Sequence, residues 1–265
     1  RSMSTPLDVI VIGAGPAGSA AANLLARAGR TVQVFERERF PRFHIGESLL
    51  PTEVGALARL GVDLDQQGDF LRKRGAVFVD ERNGRRSVFS FDEGLTGTPG
   101  HAHHVDRASF DLLLLQAAER AGARVLQEHL VTAVDFDDAG VTVQVQDLQA
   151  GEGAAPTAVR ARYLVDASGQ KALLARRGKT VDPIPNFGRA AAFRRYDGLA
   201  PAIAAELQER GDIIVKIIDD GWMWAIPLAG ASLSVGMVKA SGKLEAAMLE
   251  REIAESPLLG RLLAG

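Results

Sequence analysis

A strand, a glycine-rich turn and a helix follow one another near the N-terminus, and this order constrains the fold more than any other feature of the chain. Residues 8–12, DVIVI, form a short β-branched run that is typical of a buried parallel strand. They lead directly into residues 13–18, GAGPAG, which have the G-x-G-x-x-G spacing. Apolar residues then recur with the period of a helix, and a glycine follows the last of them: Ala17, Ala20, Ala21, Leu24, Leu25, Ala28 and Gly29. The pattern predicts a Rossmann-like βαβ unit.

Each residue of the turn has a physical role in binding a dinucleotide. Gly13 permits a tight turn, Gly15 lets the backbone approach a pyrophosphate, and Gly18 lets the helix pack closely on the strand. Pro16 and Ala17 lie where the helix begins, and the free N–H groups at that end of a helix bind anions. We therefore assign these five residues to a cofactor-binding loop.

The acid that follows the second strand completes this unit. The pattern of residues 31–35 predicts that strand. Glu36 directly after it is placed to accept hydrogen bonds from the hydroxyl groups of a ribose. The alternative is a glycine-rich βαβ turn that binds no ligand. Strand, turn, helix, strand and acid occur here in the expected order, which favours a dinucleotide-binding site.

Composition narrows the class of protein. The chain has 265 residues, of which 46% are hydrophobic and 24% are charged, as in an ordinary soluble globular protein. A net charge of -2 gives no electrostatic reason to expect nucleic acid or an anionic membrane as a partner. The absence of cysteine excludes disulfides and thiolate metal sites and fits a cytoplasmic location. No apolar run approaches the ~20 residues of a membrane span.

The loop after the acid indicates which dinucleotide is bound. Residues 35–51, FERERFPRFHIGESLLP, resemble the corresponding stretch of flavin-dependent halogenases, in particular those that act on phenols or on carrier-bound pyrroles. In that family the G-E-S loop lies beside the flavin ring. The resemblance implies that FAD is the cofactor and that Arg37, Gly46 and Ser48 contact it. It also implies a role for Glu47 in proton supply.

A second segment is similar to the one that carries the essential lysine of the halogenases. Residues 70–78, FLRKRGAVF, fit F-x-x-K-x-G-A-x-F and place Lys73 in that role. A buried lysine near other cations can have a lowered pKa, which an amine that acts near neutral pH requires. Arg72 and Arg74 leave the alignment ambiguous by one position, although only a lysine has an amine that can lose its proton. The alternative is a solvated basic turn.

Two further segments resemble the family's cofactor contacts, and a third contains histidines. Residues 105–111, VDRASFD, open a helix in the family and imply that Arg107 points toward FAD; the alternative is an ordinary surface arginine. Asp166 and Gly169, in the turn DASG, are expected near the adenosine and pyrophosphate half of the cofactor. The histidines of residues 101–104, HAHH, are not assigned to a metal, because no carboxylate stands at ligand spacing and the chain has no thiolate.

The two tryptophans of the chain lie in residues 222–227, WMWAIP, which fit W-x-W-x-I-P, the most specific mark of this family. Strand alternation places Trp222 and Trp224 on one face. Three strands are predicted here: residues 213–218, 222–228 and 232–238. The resemblance implies a wall that keeps substrate from the flavin, whereas the alternative is that both side chains belong to the core. We group the tryptophans with Lys73 and Glu47 as candidate catalytic residues.

The resemblance also implies an architecture. An α/β fold with a Rossmann-like FAD-binding domain, of the glutathione-reductase and p-hydroxybenzoate-hydroxylase type, is expected over residues 4–180, with an inserted hairpin near 70–100. The start of an antiparallel-sheet substrate subdomain is expected over residues 181–265. We expect that subdomain to be truncated, because the family's second FAD segment does not occur before Gly265.

The reaction implied by the resemblance is halogenation by an enzyme. Reduced FAD from a separate flavin reductase, O2 and halide would give hypohalous acid, which Lys73 directs onto an electron-rich aromatic ring, free or tethered to a carrier protein. The alternatives are a FAD-dependent monooxygenase or reductase, and a flavoprotein fragment without turnover. The halide, the ring and the oligomeric state do not follow from the sequence.

Overall fold

The computed structural model describes residues 7–151, 153–185, 187–240 and 244–264. Residues 4–6, at the start of the predicted FAD-binding domain, and Gly265 lie outside the described residues. The chain divides into two compact units. The first comprises Arg1–Ile45, Arg59–Val62 and Arg107–Val181, and the second comprises Gly46–Ala58, Asp63–Asp106 and Asp182–Gly265. Over the described ranges, no helix has the length and apolar character needed to cross a membrane.

The described residues form seven α-helices and fourteen β-strands. The helices that the described residues form are α1 (Pro16–Arg27), α2 (Pro51–Arg59), α3 (Arg107–Arg120), α4 (Leu173–Arg177), α5 (Pro201–Arg210), α6 (Ala246–Ala254) and α7 (Pro257–Leu263). The strands are β1 (Leu7–Ile12), β2 (Val32–Phe35), β3 (Leu71–Lys73), β4 (Gly75–Asp80), β5 (Arg85–Ser90), β6 (Ala102–His104), β7 (Arg124–Leu126), β8 (His129–Asp137), β9 (Gly140–Asp147), β10 (Thr157–Asp166), β11 (Ala190–Tyr196), β12 (Ile213–Ile218), β13 (Gly221–Leu228) and β14 (Ser232–Lys239).

The sheet of the first unit confirms the predicted βαβ pattern. Its strand order is β7-β2-β1-β10-β9-β8, in which the first four strands are parallel and the last two are antiparallel to their neighbours. Strand β1 is buried on both faces, since Val9 and Val11 belong to one core cluster and Ile10 and Ile12 to another. Burial on both sides explains the continuous β-branched run in the sequence.

Helix α1 packs with a face that differs from the predicted apolar stripe. Three members of that stripe, Ala17, Leu24 and Ala28, are exposed, whereas the buried residues are Gly18, Ser19, Ala22 and Asn23. The amide of Asn23 donates to the carbonyls of Leu60 and Ala117, at 3.2 and 2.9 Å. Polar side chains are tolerated on this face because their buried donors have partners. The prediction of this face was therefore wrong in part, because Leu25 packs against a core cluster but the most buried residues lie on the face of Gly18 and Ala22.

The sheet of the second unit has the order β11-β14-β13-β12-β4-β5. Its centre confirms the predicted three-stranded meander, with β13 antiparallel to both β12 and β14. The hairpin of β4 and β5 was predicted as an insertion in the first domain, but β4 pairs in parallel with β12 and so belongs to this second sheet. The two units of the structure therefore differ from the two predicted domains, which met at residue 180. The reason is that segments far apart in the chain contribute strands to one sheet.

One face of this second sheet is covered by helices that the sequence pattern did not predict. Helices α5, α6 and α7 contribute Leu207, Leu249 and Leu259 to the core cluster. Met223 and Ala225 of β13 belong to the same cluster. The core of the second unit therefore lies on the side of β13 that faces away from the two tryptophans.

Candidate functional site

The glycine-rich loop of the first unit leaves no room for side chains at two of its positions. Gly13 has a φ of +94°, and a Cβ there would lie 2.5 Å from the carbonyl oxygen of Ala167. A Cβ at Gly18 would lie 1.8 Å from the carbonyl oxygen of Gly13. Both distances are far inside van der Waals contact, so the packing of backbone on backbone sets the shape of this loop.

The start of α1 lies beside a guanidinium group. Gly15 is the residue before the helix, Pro16 opens it, and no acidic residue occupies the first turn. Arg42 approaches this end, because a Cβ at Gly15 would lie 3.5 Å from Arg42 Nη2. Free N–H groups and a cation therefore converge where a phosphate would be held. Ala17, in the first helical turn, is exposed on the same short segment.

A buried carboxylate holds two arginines of the first unit. Asp111 is 0% exposed. Its Oδ2 accepts a hydrogen bond from Arg42 Nη1 at 3.0 Å, and its Oδ1 accepts one from Arg107 Nε at 2.8 Å. Arg107 also donates to the carbonyl of Ile45 at 2.9 Å. Arg107 is therefore part of a network and is not a solvated surface residue. Arg42 and Asp111 were not among the predicted site residues, although the acid lies four positions after Arg107 in the motif.

Glu36 is buried at the end of β2, as the position of the predicted acid requires. Its Oε2 accepts from the backbone N–H of Ala14 at 2.7 Å, and its Oε1 accepts from that of Glu38 at 2.8 Å. A carboxylate has about four acceptor positions, so each oxygen keeps one for a ribose hydroxyl. The loop, the helix end and this acid together fit the nucleotide part of a dinucleotide.

The remaining predicted contacts of this unit differ in burial. Asp166 accepts from the N–H groups of Ser168 and Leu174, at 3.0 and 2.8 Å, and so fixes the turn that follows β10. Gly169 in that turn is exposed and has a φ of +63°. Arg37 is exposed. Roles for these three residues in cofactor binding stay predictions.

In the second unit, Lys73 is the buried member of the Arg-Lys-Arg segment. It is 2% exposed, whereas Arg72 and Arg74 on either side are exposed. Its Nζ donates to Ser48 Oγ at 2.8 Å and to the carbonyl of Leu49 at 2.9 Å. Neither acceptor is charged. The solvated basic turn considered for this segment does not describe Lys73.

The protonation of Lys73 is shifted by its surroundings. Burial lowers its pKa to about 8, and the charges of Glu53 and Asp212 act in the opposite direction. Of the two causes that the sequence suggested, burial lowers this pKa, whereas the neighbouring Arg72 and Arg74 are exposed. A substantial share of Lys73 is a neutral amine slightly above neutral pH.

Strand β6 holds Lys73 and its two acceptors in place. Lys73 pairs with Ala102 of β6, and the N–H of Leu49 donates to the carbonyl of His103 at 3.0 Å. Glu47 is buried, and its carbonyl accepts from the N–H of Val105 at 2.8 Å. Of the predicted G-E-S residues, Ser48 is thus brought onto Lys73, while Gly46, with a φ of +115°, begins this segment of the second unit.

Lys73 lies in the wall of a cavity of about 710 Å³. The cavity is lined by Ser48, Leu50, Lys73, Ala76, Phe78, Ser87, Phe89, Phe91, Ile213 and Val215. The Nζ atom of Lys73 lies 5.1 Å from the centre of the Phe91 ring. The lining is apolar and aromatic apart from the lysine and two serines, which suits a flat aromatic molecule.

The tryptophans lie on the sheet face that forms the floor of this cavity. Trp224 is the cross-strand partner of Val215, so the two side chains project to the same side. Trp222 is 40% exposed, whereas Trp224 is half-buried, stacks on Phe193 with ring centres 6.5 Å apart and donates to Ser234 Oγ at 3.3 Å. The alternative that both side chains belong to the core is wrong.

The histidines of residues 101–104 lie near a carboxylate in the folded protein. Asp65 lies 36 residues before His101 in the sequence, and its carboxylate approaches both His101 and His103. The reason for rejecting a metal, that no carboxylate stood at ligand spacing, is therefore wrong, because folding supplies the acid from a distant segment. His104 is turned to a different partner, the carbonyl of Gly211, at 2.8 Å.

The fold and the first site define a dinucleotide-binding protein, and comparison with known proteins identifies its family. The family described as FAD binding domain matches residues 6–197. The chain belongs to this family, and the prediction of FAD as cofactor is confirmed.

Particular relatives point to one group of flavoproteins. The chain is 32% identical to the 1H-pyrrole-2-carbonyl-[peptidyl-carrier protein] chlorinase of Pseudomonas fluorescens, over 87% of this chain and 55% of that protein. The structure of the myxobacterial chondrochloren halogenase CndH is similar with a TM-score of 0.80 and 33% identity, over 97% of this chain and 60% of that one. A flavoprotein/dehydrogenase from Cytophaga hutchinsonii is similar with a TM-score of 0.83 and 29% identity, over 97% and 63%.

The first two of these comparisons confirm the resemblance to flavin-dependent halogenases that the motifs indicated. They also set its extent, since the chain spans about half the length of the curated relatives it matches, between 42% and 55% for the first two.

Proposed function

We propose that the whole protein is a FAD-dependent halogenase in which Lys73 delivers halogen to an electron-rich aromatic substrate. The observation that carries this proposal is Lys73 itself, a buried lysine with two uncharged acceptors in the wall of an apolar cavity. A neutral amine has two N–H donors and one lone pair. Ser48 Oγ and the carbonyl of Leu49 accept both hydrogens, so the lone pair is left for an electrophile.

When it is bound and reduced, FAD would react with O2 and so provide the oxidant that converts halide to hypohalous acid. The neutral amine of Lys73 attacks the halogen, which forms an N–halogen bond and releases water. Transfer of the halogen to an aromatic carbon, with loss of the ring proton, restores the amine. In a second version, protonated Lys73 donates a hydrogen bond to hypohalous acid and directs it without a covalent step. The first version needs an amine whose pKa lies near neutrality, as burial provides here, whereas the second needs only a protonated lysine.

The other predicted participants belong to this proposal. A separate flavin reductase supplies reduced FAD in the cytoplasm, and Gly46, Ser48, Arg107, Asp166 and Gly169 contact the cofactor. Glu47 supplies a proton. Trp222 and Trp224 screen the reaction, which their position outside the core supports. The substrate is an aromatic small molecule, free or tethered to a carrier protein, and the name of the Pseudomonas fluorescens relative supports the tethered form.

A second candidate is a FAD-dependent monooxygenase or reductase, which the likeness to the Cytophaga hutchinsonii flavoprotein/dehydrogenase favours. Reduced FAD, O2 and bromide or chloride separate the two candidates when a reactive diketone is present as a trap. Halogenated trap is expected from the longest available form of the protein. Oxygen inserted into an aromatic substrate without halogenated trap supports the monooxygenase. Turnover only in a form extended beyond Gly265 supports the reading of this chain as an incomplete flavoprotein.

A further inference from the structure

We propose that Asp65, His101 and His103 form a binding site for a divalent transition cation of the zinc class. All three residues belong to the second unit. The Nε2 of His103 lies 2.9 Å from Asp65 Oδ1, and the Nε2 of His101 lies 3.6 Å from Asp65 Oδ2. One ligand atom from each residue lies within 4.8 Å of the other two.

The two distances from the histidines to the carboxylate are close to those between ligand atoms around a tetrahedral ion. Zinc binds histidine nitrogen and carboxylate oxygen at ~2.0–2.2 Å, which places neighbouring ligand atoms about 3.3 Å apart. The two observed separations, 2.9 and 3.6 Å, lie on either side of that value. An ion can therefore bind with small shifts of these three side chains once Arg72 has moved away from Asp65. Three protein ligands leave a fourth position for water.

The backbone holds the three ligands from two directions. His101 and His103 are separated by one residue at β6, so both side chains project to the same side of that strand. Asp65 lies in a short 3-10 helix, Leu64–Gln66, where its N–H donates to Asp63 Oδ1 at 3.0 Å. Lys73 is paired with Ala102, one position away from His103, and so projects to the opposite side of the small sheet. The cation site is thus separate from the cavity lysine.

Arg72 is the competitor for this site. Its guanidinium donates to both oxygens of Asp65, and the side chains of the pair are 46% and 37% exposed. An ion pair at that exposure contributes little free energy, whereas a transition cation with two imidazoles binds tightly. The cation can therefore displace Arg72 into solvent. Removal of the arginine charge should strengthen binding.

Cobalt(II) provides the test, because four-coordinate Co2+ absorbs visible light strongly and occupies zinc sites. Chelator-treated protein titrated with Co2+ at neutral pH should show this absorption at one equivalent, and Zn2+ should abolish it. His101→Ala and Asp65→Asn should each weaken binding at least about tenfold. Arg72→Gln should tighten it several-fold. His129→Gln, a histidine of the first unit, is the matched control and should bind as the wild type does.

Two results would overturn the proposal. One is the absence of tetrahedral Co2+ absorption in the wild type at saturating cation. The other is wild-type affinity in both His101→Ala and Asp65→Asn, which would place any bound ion elsewhere. Circular dichroism of each variant shows that it is folded. Both substituted positions are partly exposed, so folded variants are expected. None of these measurements depends on flavin or on halogenation.

Discussion

The two candidate sites are constructed in opposite ways. The nucleotide loop of the first unit consists of consecutive residues, and its shape follows from backbone contacts such as that between Gly18 and the carbonyl of Gly13. The cavity of the second unit is assembled from side chains of distant segments, with Lys73 on β3 and its acceptor Ser48 before α2. A contiguous site is intolerant of added atoms, whereas an assembled site depends on the chemistry of a few side chains.

The largest effect is expected from a substitution that removes the reactive group of the cavity in the second unit and leaves the nucleotide loop intact. Lys73→Met should lower halogenation at least about 1000-fold, equivalent to ~4 kcal/mol of activation free energy, while FAD binding stays unchanged. Lys73→Arg should not rescue the version in which the amine attacks, because a guanidinium does not become a neutral amine, and rescue would support the version with a protonated donor. Product formation with reduced FAD, O2 and halide, together with an FAD titration, measures both effects.

Lys216→Met is the matched control for that prediction. Lys216 is also a buried lysine, but it forms an ion pair with Glu81 at 3.1 Å. Its replacement should lower the free energy of unfolding and leave halogenation of the folded protein near the wild-type rate. Full product formation by Lys73→Met would contradict the assigned role of Lys73.

The next effect tests the intolerance of the contiguous site. Gly18→Val should weaken FAD binding at least about 100-fold and lower the unfolding midpoint, because the added carbons meet the carbonyl of Gly13. Gly55→Ala is the control, since a Cβ at Gly55 meets nothing within 4 Å. Helix propensity predicts that this control is neutral or stabilising by up to ~1 kcal/mol. Equal FAD affinity in both variants would show that the loop is not sterically fixed.

The burial of Lys73 predicts a pH dependence of stability. Below about pH 8 the lysine is charged in both states and the unfavourable burial of its charge is fully present. Between about 8 and 10.5 the unfolded chain binds more protons than the folded one, so the free energy of unfolding rises with pH. The expected gain is about 3 kcal/mol, completed above the unfolded pKa. Urea unfolding of wild type and Lys73→Met at several pH values isolates this gain. If the free energy of unfolding depends on pH in the same way in both proteins, the pKa of Lys73 is not shifted.

The smallest effects compare the two tryptophans with each other. Trp224→Ala should cost about 2–3 kcal/mol of unfolding free energy, because the ring covers Gly236 and stacks on Phe193. Trp222→Ala should cost less than about 1 kcal/mol, since that side chain is 40% exposed. Equal costs in urea unfolding would mean that Trp222 is packed as a core residue.

The sequence by itself determined the local elements of this protein. The βαβ unit, the glycines at the loop, the acid after β2 and the three-stranded meander are specified by short-range patterns, because turn geometry and side-chain alternation act over a few residues. The position of the candidate lysine, Lys73, also followed from a local motif that resembles the family's. The finding that Lys73 is buried while Arg72 and Arg74 are exposed did not.

Only the tertiary structure decided which distant segments meet. It joined the β4–β5 hairpin to the second sheet, exposed Ala17 and Leu24 of α1, brought Arg42 to Gly15, and placed Asp65 against His101 and His103. None of these features can be found from a repeating pattern in the sequence. Each depends on residues that are far apart in the chain and are brought together only by folding. Burial and charge pairing are properties of the packed molecule, and they depend on neighbours that sequence order does not reveal.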